Sequence, residues 1–237
     1  MNSEEHSIHK GTSPKFSVII PAYNEQDTIV RVVKEVLALD LDMEIIVIDD
    51  GSDDFTVREV RQNFNKNLVT LLRNHVNKGK GYSMRKALDT AKGQFIIFQD
   101  ADLEYPPSNI KTMMKYLTPE TDMVVGVRVV NALTLAEVSL CSLVCNKLFM
   151  RLIKVPDVWS GHRIIKRESL LALELNTNRF EVETELTIRA IKRKWNLEFT
   201  PISYFPRSKE EGKKIGLTDF FKICHIYARE MLTPWPT

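Results

Sequence analysis

The chain has 237 residues, of which 43% are apolar and 27% charged, and these ordinary values exclude a disordered or fibrous protein. A formal net charge of +2 gives no general attraction to nucleic acid, and three cysteines without a CxxC spacing indicate neither a disulfide framework nor a zinc site. The polar N-terminus is unlike a signal peptide and no apolar run reaches about 18 residues, which predicts a cytoplasmic protein without a transmembrane span.

The first part of the chain alternates strand-like and helix-like patterns after a polar arm, which we assign to residues 1–14. Short apolar runs rich in β-branched residues predict strands at residues 16–20, 44–48, 68–72 and 94–98. Amphipathic spacing predicts helices at residues 27–39, 56–64 and 82–91. Strands that are apolar throughout are typical of a parallel sheet buried on both faces, so this order predicts a doubly wound, mostly parallel α/β fold.

The second part of the chain adds further predicted elements. These are strands at residues 122–127 and 197–204 and helices at residues 131–155, 181–194 and 217–232. The apolar stripe of the helix at 131–155 runs from Leu133 to Leu152, and it fits either a core helix, which is favoured, or one lying on a membrane surface. We expect one domain over residues 15–237, with a first half that ends at residue 128 and a second that starts at residue 129.

Polar and turn-forming residues follow each of the predicted strands in the first half. They lie at residues 21–25, 49–53, 77–81 and 100–102. In an open parallel sheet, ligands bind beyond the carboxyl ends of the strands, so these segments are expected to meet at one edge. Turn chemistry alone does not require two acidic clusters there, because they would repel each other without a cation or partner between them.

Two of these segments carry specific chemistry. Asp100 and Asp102 follow a buried strand, and oxygen ligands of this kind suit Mg²⁺ or Mn²⁺, which one or two carboxylates commonly hold together with substrate phosphates. The segment NKGKG at residues 77–81 starts a predicted helix and could bring backbone N–H groups and Lys80 to a phosphate. Its spacing matches neither a P-loop nor a dinucleotide fingerprint.

Four motifs together resemble a known family. The succession FSVIIPAYNE, IIVIDDGSDD, NKGKGYSMRKAL and FQDADLEYPP is similar to the nucleotide-sugar half of family 2 glycosyltransferases with a GT-A fold, from Phe16 to Arg128. Later segments, SGHR at 160–163, PISYFPR at 201–207 and EGKK at 211–214, resemble the polyprenyl-phosphate sugar transferases, above all dolichyl-phosphate mannosyltransferases. The sequence departs from that pattern at His162, where an aromatic residue is more common, and it lacks the QxxRW element of processive polysaccharide synthases.

The resemblance implies a role for each matched residue. The nucleoside would be bound by Pro21, Ala22, Tyr23, Glu25, Asp50 and Ser52. Lys80 and Asp100 would approach the donor phosphates, and the divalent ion would be held by Asp100, Asp102 and Glu104. Catalysis would fall to Asp102 and to the cations that recognise the acceptor phosphate, which are Arg128, Arg163, Arg207 and Lys213, with Lys214 beside them.

The implied reaction is the inverting transfer of one hexose from a nucleotide sugar to a polyprenyl or dolichyl phosphate, with mannose and GDP-mannose favoured. Such an acceptor is already ionised near neutral pH, so a general base is dispensable. The lipid implies peripheral contact with the cytoplasmic face of a membrane and no nucleic-acid partner.

Two alternatives stay open. A UDP-sugar-dependent enzyme could instead act on a saccharide or other hydroxyl, and it would need a base, for which Glu183 is the best candidate. The helix dipole explains the acids at 181, 183 and 185 equally well. A nucleotide-sugar-binding protein without turnover is disfavoured because Asp100 and Asp102 are both present.

Overall fold

The computed structural model describes residues 14–129, 151, 153–207 and 217–233. Within these ranges seven strands form one sheet, in the order β3-β2-β1-β4-β6-β5-β7. The strands are β1 (Phe16–Ala22), β2 (Met43–Asp49), β3 (Val69–Arg73), β4 (Phe95–Phe98), β5 (Met123–Arg128), β6 (Arg163–Lys166) and β7 (Leu197–Ile202).

The sheet is mostly parallel, as the uniformly apolar strands predicted. β1 pairs in parallel with β2 and β4, β2 with β3, and β5 with β7. β6 is antiparallel to both of its neighbours, β4 and β5. The sequence analysis did not predict β6, because its four residues, RIIK, are too few to show a strand period.

Helices cover both faces of the sheet. They are α1 (Ile29–Leu37), α2 (Thr56–Asn63), α3 (Lys80–Leu88), α4 (Asn109–Met114), α5 (Arg167–Ala172), α6 (Val182–Lys192) and α7 (Leu217–Leu232). Val18 of β1 belongs to the core cluster that includes Val32 of α1, whereas the next residue, Ile19, belongs to the cluster with Met84 of α3 and Leu186 of α6. Because successive strand residues face opposite sides, these two clusters lie on the two faces of a doubly wound sheet.

Most of the predicted helices and strands are found in the structure. All strands predicted within the described ranges are present, as are the helices predicted around residues 27–39, 56–64, 82–91, 181–194 and 217–232. α4 and α5 were not predicted, since six residues each show too little periodicity. Residues 1–13 of the arm predicted at 1–14 and almost all of the helix predicted at 131–155 lie outside the described residues.

Both predicted halves contribute to the one sheet. β6 and β7, from the half that starts at residue 129, pair with β4 and β5 from the first half. The division at residues 128 and 129, and the single domain over 15–237, stay predictions. In the part of the chain that the structure describes, no helix is both long enough and apolar enough to cross a bilayer.

Candidate active site

The segments that follow β1, β2 and β3 meet at one edge of the sheet, because these strands are parallel neighbours. The loop after β1 is joined to the loop after β2, where Asn24 N–H donates to Ser52 Oγ at 2.9 Å. The loop after β2 is joined in turn to residues 77–81, where Gly79 N–H donates to Asp50 Oδ2 at 2.7 Å. The structure therefore brings together the polar segments that the sequence placed at strand ends.

Asp50 organises this edge. Its buried carboxylate accepts hydrogen bonds from Asn74 Nδ2 at 2.7 Å, Lys78 N at 3.0 Å and Gly79 N at 2.7 Å. A carboxylate with this many donors fixes the conformation of the loop that holds Lys80. Asp50 thus shapes the expected phosphate loop. Pro21 and Ala22 end β1, Tyr23 follows them, and the Ala22 carbonyl accepts a hydrogen bond from Asp50 N–H at 2.8 Å.

Lys80 lies at the centre of the site, at the first position of α3. Its ammonium group is 2.6 Å from Asp100 Oδ1 and 2.8 Å from Glu183 Oε1, and only 12% of the side chain is exposed. Burial opposes the charge, but the two carboxylates raise the pKa of Lys80 above its ordinary value. Gly161 leaves the room for this arrangement, since a Cβ there would lie 2.8 Å from both Asp100 Oδ2 and Lys80 Nζ.

Asp102 lies close to two other carboxylates, those of Asp100 and Glu104. Burial, together with the nearby carboxylates of Asp100 and Glu104, raises the pKa of Asp102 to about 7, against the opposing effect of Arg207. Among the described contacts, its carboxylate accepts one hydrogen bond, from Glu104 N–H at 3.1 Å. An excess of negative charge on hard oxygen ligands fits Mg²⁺ or Mn²⁺.

The protein alone does not complete a metal site in the described ranges, where no three His, Cys, Asp or Glu side chains are grouped to hold an ion. Glu104 is engaged elsewhere, since its carboxylate accepts hydrogen bonds from Arg207 N–H at 2.8 Å and Tyr204 Oη at 3.1 Å. Asp100 and Asp102 are left as two candidate ligands, and Mg²⁺ commonly takes one or two carboxylates when phosphates supply the rest.

Arg207 belongs to the second half of the chain and contacts residues at this edge of the sheet. Its guanidinium donates to both carboxylate oxygens of Glu25, at 2.6 and 3.3 Å, and to the carbonyl of Asp102 at 3.0 Å. Glu25 and Arg207 were predicted to bind different substrates, and the structure pairs them instead. A ribose hydroxyl that binds Glu25 must share the carboxylate with Arg207.

Arg128 lies near the same edge but is held by a residue that the sequence analysis did not single out. Its guanidinium donates to Asp157 Oδ2 at 2.7 Å and Oδ1 at 2.8 Å, and it lies 5.3 Å from the centre of the Tyr204 ring. Burial alone would raise the pKa of Asp157, but the Arg128 guanidinium holds it below its ordinary value. This pairing fixes the direction in which Arg128 can present its remaining N–H groups.

Arg163 does not reach the surface of the site. It is 1% exposed, and its guanidinium donates to the carbonyls of Ser160 at 2.8 Å and Val158 at 2.6 Å and to Thr187 Oγ1 at 2.9 Å. Burial lowers the pKa of Arg163 to about 10. The predicted contact with an acceptor phosphate does not agree with this position, because β6 directs the side chain into the interior.

Replacing Arg163 by methionine is expected to lower the free energy of unfolding by about 2 kcal/mol, because buried carbonyl acceptors lose their donor. The KM for the acceptor that the resemblance implies, a polyprenyl phosphate, should stay unchanged. Urea unfolding and steady-state kinetics would test this, with Arg31→Met, whose side chain is 70% exposed, as the control. A raised KM with unchanged stability would restore the phosphate-binding role.

His162 and two acids complete the surroundings. His162 is fully buried, stacks on Tyr105 with 5.5 Å between ring centres, and has no hydrogen-bond partner on either ring nitrogen within the described structure.

The predicted acids of α6 already have partners. Glu183, the candidate base, forms an ion pair with Lys80, and Glu185 accepts hydrogen bonds from the N–H groups of Asn176 and Thr177. Lys213 and Lys214 lie outside the described residues.

Sequence reasoning missed Asp157, Gly161 and the ion pair of Glu183 with Lys80. The segment SGHR did contain a usable signal, since glycine is common where the backbone approaches another group closely. Asp157 is one of many acids in the second half, and nothing in its spacing distinguishes it.

Comparison with known proteins agrees with this geometry. The family model described as glycosyl transferase family 2 matches residues 17–173. A dolichol-phosphate mannosyltransferase from Pyrococcus furiosus is 26% identical over 223 residues, which cover 90% of this chain and 63% of that protein. The glycosyltransferase AglJ from Haloferax volcanii is 29% identical over 197 residues, which cover 80% of this chain and 63% of that protein. The chain therefore spans less than two thirds of the length of these two relatives.

The fold has close counterparts among solved structures. Glucosyl-3-phosphoglycerate synthase from Mycobacterium tuberculosis, solved with Mn²⁺, UDP and glucosyl-3-phosphoglycerate, superposes with a TM-score of 0.72 at 21% identity, over 93% of this chain and 81% of that one. The likeness confirms the predicted GT-A fold. Since the family model extends over residues 17–173, well over half of the sequence, the chain belongs to the family 2 glycosyltransferases.

Proposed function

We propose that the protein moves one hexose, with mannose favoured, from a nucleotide sugar to a polyprenyl or dolichyl phosphate. The observation that carries the proposal is the position of Lys80, Asp100 and Asp102 at one edge of the parallel sheet, with Arg207 closing over them. This arrangement supplies a cation and two metal ligands for a donor diphosphate. The similarity to a dolichol-phosphate mannosyltransferase supports the lipid phosphate as acceptor.

Departure of the nucleoside diphosphate from the donor depends on nearby positive charge. Bound by Asp100 and Asp102 with the diphosphate, Mg²⁺ or Mn²⁺ would supply Lewis acidity for the departing nucleoside diphosphate. Lys80 adds a positive charge that is already in place, because Asp100 and Glu183 hold it between them at 2.6 and 2.8 Å. A group that is positioned before the reaction needs no reorganisation when negative charge develops.

The acceptor side favours a phosphate over a hydroxyl. A hydroxyl acceptor would need Glu183 as base, but this carboxylate already pairs with a buried ammonium group, which would lose one of its two partners if Glu183 took up a proton. A lipid phosphate is ionised near neutral pH and needs only cations to bind it. We assign the binding of this phosphate to the guanidinium groups of Arg128 and Arg207, with Lys213 from the EGKK segment.

The reaction would take place at the cytoplasmic membrane face, because the polyprenyl chain of the acceptor stays in the bilayer. The base of the donor has two candidates. The structural neighbour was solved with UDP, whereas the similarity to a mannosyltransferase favours GDP-mannose, so a UDP-sugar-dependent transferase is the second candidate function.

Calorimetric titration with GDP-mannose, UDP-glucose and UDP-N-acetylglucosamine, each with and without Mn²⁺, tests the proposal. We expect binding of GDP-mannose that requires Mn²⁺ and that Asp102→Ala weakens about a hundredfold, through loss of a metal ligand. The control is Asp53→Ala, an exposed aspartate in the loop after β2. A preference for a uridine donor would overturn the mannose assignment, and no binding of any donor would overturn the proposed function.

A further inference from the structure

A chain of buried charges links α7 to α6. Arg189 of α6 donates from Nε to Glu230 Oε2 at 3.0 Å and from Nη2 to Glu230 Oε1 at 3.1 Å, and its Nη2 lies 2.8 Å from Glu185 Oε1. All three side chains are buried, with 0% of the Glu185 side chain and 9% of the Arg189 side chain exposed. Burial of such a chain is costly in desolvation, so stability alone is a poor explanation for it. We call Glu185, Arg189 and Glu230 the charge chain.

One end of the charge chain holds the turn that precedes α6. Glu185 Oε2 accepts hydrogen bonds from Thr177 N at 2.9 Å and Thr177 Oγ1 at 2.6 Å, and both of its oxygens lie close to Asn176 N, at 3.0 and 3.1 Å. These donors converge on one carboxylate. The position of residues 176–178 therefore follows the position of Glu185.

This turn packs directly against the phosphate loop. Asn178 accepts a hydrogen bond from Tyr82 N–H at 3.1 Å, and Arg85 of α3 donates to the Thr177 carbonyl. A Cβ on Gly79 would overlap the Asn178 carbonyl oxygen, and one on Gly81 would overlap the Thr177 carbonyl oxygen. The two backbones are in contact on both sides of Lys80, so a shift of the turn has to move Lys80 as well.

The other end of the charge chain belongs to α7. Arg229 donates to Glu230 Oε1 at 2.7 Å, so two guanidinium groups balance two carboxylates in this cluster. Arg189 also donates from Nη1 to the carbonyls of Leu173 and Glu174, at 2.9 and 2.7 Å. Without the charge of Glu230, the carboxylate of Glu185 would be the ion-pair partner left to its Nη2 group. That group would then compete with Asn176 and Thr177 for the same oxygens.

We propose that the charge chain positions Lys80 for the donor phosphates, so that a change at Glu230 of α7 is transmitted to nucleotide binding through Arg189 and Glu185. Glu185, Arg189 and Glu230 are positioning residues in this scheme, since none of them contacts the expected ligand. The proposal rests on the proposed function for the identity of that ligand, but the coupling itself is a property of the fold.

The test compares two variants that both weaken the contact of α7 with α6. Glu230→Gln removes the end of the charge chain, whereas Lys192→Met removes donors to the carbonyls of Glu230 and Thr233 and leaves the chain intact. Hydrogen exchange at the amides of Thr177 and Tyr82 is the first measurement. We expect exchange about tenfold faster in Glu230→Gln and unchanged in Lys192→Met.

Nucleotide affinity is the second measurement, with GDP or UDP and Mn²⁺ as the probe. Glu230→Gln should raise the Kd about tenfold, and Lys192→Met should leave it unchanged. If Glu230→Gln does not fold, Thr177→Val removes only the 2.6 Å hydroxyl bond to Glu185 and should accelerate exchange at Tyr82 in the same way.

Equal acceleration in Glu230→Gln and Lys192→Met would overturn the proposal, because loosened docking of α7 would then explain both. Unchanged exchange in Glu230→Gln and in Thr177→Val would overturn it too. If the wild-type protein binds no nucleotide while Glu230→Gln still exchanges faster, the coupling is supported and the proposed function fails instead.

Discussion

Replacing Lys80 by methionine is expected to lower the rate of sugar transfer by a factor of about 10²–10³, the effect of removing one preorganised charge from a site where negative charge develops. Lys80 is the described ammonium group that lies between Asp100 and Glu183, at 2.6 and 2.8 Å. Methionine fills a similar volume without the charge. The transfer rate should therefore fall in a protein that keeps its fold.

The same substitution should also destabilise the protein, by about 3–5 kcal/mol, because it leaves two largely buried carboxylates without their shared partner. Urea unfolding and single-turnover transfer below the unfolding transition would measure the two effects separately. Lys78→Met is the matched control, since Lys78 lies in the same loop with an exposed side chain. A Lys80→Met protein that transfers sugar at more than a tenth of the wild-type rate would contradict the assigned role.

His162 should make stability depend on pH between about 4 and 6.5. Burial lowers the pKa of His162 from its ordinary 6.5 to about 4, so the unfolded chain binds a proton in this range that the folded protein does not. The contribution of His162 to the free energy of unfolding should therefore be fully present above pH 6.5 and fall by roughly 3 kcal/mol as the pH drops to 4, while Asp102, whose pKa is raised, acts in the opposite direction in both the wild type and His162→Phe. Urea unfolding at a series of pH values measures this fall.

His162→Phe should remove that dependence. Phenylalanine keeps the stacking on Tyr105 and removes two buried ring nitrogens that have no hydrogen-bond partner within the described structure, so the stability at pH 8 should rise by about 1–3 kcal/mol. His75→Gln, at an exposed position, should leave the pH dependence unchanged. The assignment fails if the wild-type and His162→Phe proteins lose stability in parallel between pH 6.5 and 4.

The elements that could be predicted from the sequence are those with a strong local pattern. The run from Phe95 to Phe98 is buried at every position, and its strand appears where the pattern predicted it. Lys80 and Asp100 lie at the same edge because the carboxyl ends of the parallel strands of one sheet share that edge, which is a rule of the fold class. Elements of four to six residues, such as β6 and α4, carried too little pattern to be predicted.

Local patterns in the sequence were enough to predict the fold class and the edge of the sheet at which the chemistry lies, because apolar periodicity and turn residues act over a few neighbouring positions. The family was predicted from the resemblance of four motifs to known glycosyltransferases. The pairing of the charges, in contrast, depends on the tertiary structure. Glu25 pairs with Arg207 across 182 positions of the chain, and Arg163 lies in the interior and not at the expected ligand. The physical reason is that a buried charge needs an oppositely charged or polar partner, and tertiary packing decides which residue is close enough. No local pattern in the sequence specifies that partner.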